Sequence, residues 1–62
     1  MNKLTNEFDH LQNVINDCQG DITKFIEGNS SAGTRVRKAM QSIKNMAQSI
    51  RVEVQHQKNS AF

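Results

Sequence analysis

Val36-Arg-Lys-Ala-Met-Gln-Ser42, Ile43-Lys-Asn-Met-Ala-Gln-Ser49, Ile50-Arg-Val-Glu-Val-Gln-His56 is one stretch written as three successive sevens. Each seven opens on a β-branched apolar residue and has a basic residue second and a glutamine sixth. The fourth and fifth places are small or apolar, with Glu53 the exception. A seven-residue apolar repeat is the signature of a helix packed lengthwise against another helix. Helix two is therefore expected over about residues 32–57, with a frayed tail at 58–62 where the repeat ends.

Upstream, Leu4, Phe8, Leu11, Ile15, Cys18, Ile22 and Phe25 are spaced alternately by four and three. That spacing predicts one apolar stripe on a helix over about residues 3–27. Val14 and Ile26 widen the stripe, and Asn2 or Thr5 is suited to cap its start. Gly28 favours the left-handed conformation after a helix end, and Ser30 or Ser31 is suited to cap the next helix. A turn at 28–31 leaves so short a connection that the helices must run antiparallel. The fold expected is all-α: an antiparallel two-helix hairpin in a single domain of 62 residues. The second stripe is broad, through Ala39, Met40, Met46, Ala47, Val52 and Val54. Pairing of two hairpins into a dimeric four-helix bundle is expected to cover it.

Composition narrows the function. A chain this short buries a thin core, and its single cysteine, Cys18, provides no disulfide. Cys18 falls on the apolar stripe and reads as a small hydrophobe. No Cys/His cluster has metal-ligand spacing, so no metal or other cofactor is expected. His10 and His56 stand in different helices without a nucleophile or carboxylate arrangement, so an enzyme is not expected. Neither an export signal nor a membrane-length apolar run is evident. An unpaired cysteine and no export signal suggest a reducing, cytoplasmic compartment, and a virion interior fits equally well.

Charge is divided unevenly. Residues 1–28 set Lys3 and Lys24 against Glu7, Asp9, Asp17, Asp21 and Glu27, a balance of −3. Residues 29–62 set Arg35, Arg37, Lys38, Lys44, Arg51 and Lys58 against Glu53, a balance of +5. Such asymmetry points to a polyanion or to an acidic helix lying beside a basic one. Arg37, Lys44, Arg51 and Lys58 recur every seven residues and form a ladder with rungs roughly 10.5 Å apart. Arg35, Arg37 and Lys38 crowd the start of helix two, where the helix dipole already disfavours cations. Phosphate is one anion that would explain them, with the Ser30, Ser31 and Thr34 hydroxyls and free backbone N–H groups as further ligands. Pairing of these cations with Asp21 and Glu27 is the alternative. No aromatic residue is interleaved with the charges, which disfavours single-strand stacking. Contact with double-stranded DNA would be directed at the backbone and poorly selective for sequence.

The run Gly28-Asn29-Ser30-Ser31-Ala32-Gly33-Thr34-Arg35-Val36-Arg37-Lys38-Ala39 resembles the signature of the small bacterial linker-histone-like proteins, which include the chlamydial histone-like nucleoid proteins. Gly28, Asn29, Ala32, Gly33, Arg35 and Arg37 carry the resemblance, and Ile43-Lys44 continues it more loosely. It implies non-specific DNA binding, chromosome condensation and self-association of the helical part. Ser30 stands where the family often has lysine. The lysine-rich tail of the chlamydial members has no counterpart before Phe62, so low affinity per monomer is expected. The alternative is a structural or adaptor module whose broad helix-two stripe binds another protein.

Overall fold

The computed structural model describes residues 2–61. It contains two helices, α1 (Lys3–Ile26) and α2 (Ser30–Ala61), packed side by side as an antiparallel hairpin, with no strand among the described residues. The hairpin is a flat rod with Cα extents of 51 × 18 × 11 Å.

Local chemistry sets the helix ends. The Asn2 side chain accepts a hydrogen bond from the Leu4 amide at 2.8 Å and caps α1. At the other end, the Gly28 amide donates to the Phe25 carbonyl and the Asn29 amide to the Lys24 carbonyl, both at 3.0 Å. This pair of bonds, with Gly28 at φ 107°, is the Schellman ending that glycine permits. The Asn29 side chain then accepts from the Ala32 amide at 3.2 Å. The cap of α2 is thus Asn29, not Ser30 or Ser31, and both serines lie inside the first turn. The turn is shorter than the expected 28–31 because a single residue closes one helix and opens the next.

The tail also differs from expectation. α2 runs to Ala61, four residues beyond the expected end at 57. Here Gln57 is held across the hairpin by Asn2 and along α2 by Glu53, and Gln55 donates to Asn59 at 3.2 Å. Polar bonds sustain the helix where the apolar repeat has stopped. The expected fraying at Phe62 lies outside the described residues.

The seam between the helices departs from the stripe expected in α1. Buried or half-buried positions there are Leu4, Glu7, Leu11, Val14, Cys18 and Asp21. Phe8, Ile15 and Ile22 are instead 52, 48 and 42 % exposed. In α2 the seam follows Ala32, Val36, Ala39, Ile43, Met46, Ile50, Glu53 and Gln57. Both seams alternate steps of three and four, as lengthwise packing requires. Two acids occupy the α1 seam because each has a cationic partner, described below. Among the described residues only Cys18 and Ala32 are buried, so the hairpin core there holds no large side chain that is wholly covered.

Candidate nucleic-acid interface

Antiparallel packing gives the hairpin two unlike broad faces. Positions four residues beyond a first-place seam residue, in either helix, emerge on the same side because the helices have equal hand and opposite direction. Phe8, Ile15 and Ile22 follow Leu4, Leu11 and Cys18 in this way, and Met40, Ala47 and Val54 follow Val36, Ile43 and Ile50. One face is therefore apolar.

The other face holds the ion pairs. Lys3 Nζ stands 3.5 Å from both Glu7 Oε1 and Glu53 Oε1. The Ser49 hydroxyl donates to Glu7 at a long 3.5 Å. Gln57 donates to Glu53 at 3.1 Å, and that bond, with the nearby Lys3 ammonium, holds the Glu53 carboxyl below the usual glutamate range. The attraction of Glu53, followed by that of Glu7, raises Lys3 above the ordinary lysine value. Near the turn, Arg35 Nε donates to Asp21 Oδ1 at 2.9 Å.

That last contact separates the cations expected to act together. Arg35 is turned onto the paired face, towards α1. Arg37 and Lys38 are on the outer side of α2 and share a shallow groove with Thr34 and Gln41. The ion-pairing alternative is realised at Arg35, through Asp21. None of Arg37, Lys38, Lys44, Arg51 and Lys58 has a carboxylate partner among the described ion pairs.

The outer side of α2 has a simple composition. Arg37, Lys44, Arg51 and Lys58 run along it over roughly 31 Å of helix, all exposed. Gln41, Gln48 and Gln55 fall between the rungs, with Asn45 beside them. The only acid of α2, Glu53, is turned inwards on the seam. The glutamines and Asn45 were not expected as site residues from sequence. Their signal was present in the sixth place of each seven, and it reads equally well as ordinary helix surface.

The start of α2 contributes less. Ser30, Thr34 and Arg37 border a groove closed by Phe25, Gly33 and Val36, and Ser31 is exposed away from it. One of the free amides, that of Ala32, is taken by Asn29. Among the described residues no group of three or more His, Cys, Asp or Glu is placed to hold a metal ion. No described helix is long and apolar enough to cross a membrane.

Residues 5–60 match the family model described as histone H1-like protein Hc1. The chain belongs to that family. The match takes in both helices, the turn and the whole basic ladder, and it makes this a histone-like chain of a DNA-binding nucleoid family. No curated protein and no solved structure matches it. In this Hc1-family hairpin most residues of the glycine-rich signature shape the turn. Gly28 supplies the positive φ, Asn29 caps α2, Gly33 lies beneath the Phe25 ring and Arg35 is bound to Asp21. Arg37 is the signature cation that has no carboxylate partner among the described ion pairs.

Proposed function

We propose that this Hc1-family chain is a homodimeric, histone-like protein that binds double-stranded DNA without sequence preference and condenses it in a nucleoid or a packaged genome. Arg37, Lys38, Lys44 and Arg51 contact phosphates, and Lys58 extends the row. Thr34 and Ser30 sit where their hydroxyls reach the same backbone, with Ser31 at its margin. Arg35 works mainly by holding the helices together.

One observation carries this reading: five cations stand on a single side of α2 with no anion among them, while the sixth is neutralised by Asp21. Exposed cations that satisfy nothing inside a protein are suited to a polyanion, whose condensed counterions they release. The amides between them add hydrogen bonds to phosphate and sugar, which position a duplex without reading it. No aromatic residue stands among them, so stacking on unpaired bases plays no part. No step of this function requires catalysis or a cofactor.

The test is binding of the chain to a labelled random-sequence duplex across a salt series. Five phosphate contacts predict a log–log slope of about −4 to −5, nearly independent of duplex sequence. A flat salt response, or no binding at low salt, would sink the reading. The exposed apolar face favours a second one, an adaptor that docks on another helical protein; it predicts no duplex binding.

A further inference from the structure

The apolar face is unusually regular. Phe8, Ile15 and Ile22 recur every seven residues in α1, and Met40, Ala47 and Val54 do so in α2. Five of these six are at least 40 % exposed. Meanwhile, among the described residues, the hairpin buries only Cys18 and Ala32, a thin core for a chain this small. The broad side measures 51 × 18 Å on Cα atoms, about 900 Å², against roughly 800 Å² per partner in a standard stable interface.

The six side chains also interlock. The pairs Lys3–Glu53, Glu7–Ser49 and Asp21–Arg35 fix the register of the two helices. On that register Phe8 lies nearly level with Ala47, Ile15 with Met40 and Ile22 with Gly33, each within one residue along the axis. At two of these three levels a large residue of α1 stands beside a small one of α2. A second hairpin laid face to face with its turn at the same end sets its own Phe8 over Ala47 and its own Ile22 over Gly33, large against small.

Two arrangements of a two-fold dimer are open to such a face, and charge distinguishes them. If each helix lies over its own copy, the Arg37, Lys44, Arg51 and Lys58 ladder confronts the identical ladder of the second chain. If each α1 lies over α2 of the second chain, the ladder instead borders Thr5, Gln12 and Gln19, which are neutral and also seven apart. The second arrangement also sets the acidic helix against the basic one.

We infer that the apolar face docks a second copy of this chain on an axis parallel to the helices. Each α1 covers the partner's α2, and the two basic ladders run along opposite edges of a four-helix bundle. The assembly then holds two duplexes apart and parallel rather than bending one. The pairing stands on the apolar face and charge alone; the bridging rests on the DNA reading above.

Two measurements on the full chain separate these parts. In the first, Cys18→Ala chains carrying Ile15→Cys or Met40→Cys, which the register sets nearly level, are oxidised alone and as a mixture. The expected result is a covalent dimer from the mixture and little from Ile15→Cys alone. Efficient self-linking through Ile15→Cys without the mixed product would overturn the arrangement. So would a monomeric mass at every concentration for the unmodified chain. In the second, a tethered duplex is used to capture a free labelled duplex through the protein. The unmodified chain is expected to capture it. Ile15→Lys, and independently Met40→Lys, are expected to raise the dimer dissociation constant by at least ~100-fold. They should still bind either duplex while capture is lost, with helicity by circular dichroism as the folding control. Capture by both lysine variants overturns bridging through this face. No duplex binding by any of the chains overturns the DNA reading, while the cross-linking result still decides the pairing.

Discussion

The ring of Phe25 lies over Gly33 so closely that a Cβ at that glycine would stand 2.6 Å from ring atom Cδ1. The contact locks the last turn of α1 onto the first turn of α2, just beyond the Schellman ending. Gly20, in the middle of α1, has nothing within 4 Å of the same probe position. Opposite outcomes are therefore expected from one substitution. Gly20→Ala should stabilise the hairpin by roughly 0.5–1 kcal/mol through helix propensity. Gly33→Ala should destabilise it by about 1 kcal/mol net, because displacing the ring costs more than alanine returns. Denaturant midpoints of the two variants, compared at equal chain concentration, check the pair.

Asn29 caps α2 through its side chain while its amide closes α1. Asn29→Ala removes the cap and leaves the Ala32 amide with the backbone carbonyl of residue 29 alone, also at 3.2 Å. A loss of roughly 0.5–2 kcal/mol is expected. Ser30→Ala and Ser31→Ala, inside the helix, should each stay within about 0.5 kcal/mol of the unmodified chain. Equal losses at all three positions would contradict the assignment of the cap.

Arg35 and Arg37 are two residues apart yet serve different partners. Arg35→Gln frees Asp21 and should cost no more than about 1 kcal/mol, since both side chains are partly exposed. Its effect on duplex affinity should be small. A joint Arg37→Gln, Lys44→Gln, Arg51→Gln variant should keep full helicity and lose about 2.7 from the salt slope, three contacts at roughly 0.9 each. Titrations at three salt concentrations distinguish the two variants.

The clasp at the open end responds to acid. Gln57 and Lys3 hold the Glu53 carboxyl below its ordinary value, so ionised Glu53 is stabilised in the folded chain. Its contribution is complete above the unfolded glutamate range and is lost as pH falls through the lower folded value. Lys3 has the opposite sign: its raised value stabilises the fold below the ordinary lysine range and is lost in strong alkali. Between those limits the clasp is constant. Protection factors of amides near Asn2 and Gln57, taken against the intrinsic exchange rate at each pH, should fall on acidification before those near Gly28, and Glu53→Gln should remove the difference.

Two helices, their antiparallel order and the division of charge could be read from residue spacing, because an apolar period and a glycine stop are local properties of the chain. The ladder of Arg37, Lys44, Arg51 and Lys58 was equally legible, since residues seven apart share a side of any helix. The face that α1 turns inwards was not. Leu4, Leu11 and Cys18 belong equally to a stripe completed by Phe8, Ile15 and Ile22 and to one completed by Glu7, Val14 and Asp21. Hydrophobicity favours the first. The hairpin uses the second, and Lys3 and Arg35 meet the two acids there from neighbouring and facing turns. The end of α2 was misread for a related reason: Asn2, far away in sequence, supplies the partner that holds Gln57.

The sequence by itself determined that this chain makes two amphipathic helices joined by a tight turn, one acidic and one basic, with cations in a regular row. Only the tertiary structure decided which cations remain free and which apolar residues remain uncovered. Both depend on pairings between residues distant in the chain: the seam that sets Asp21 against Arg35 is also the one that leaves Phe8, Ile15 and Ile22 uncovered. Local period fixes what a helix can present; the partner it meets fixes what it does present.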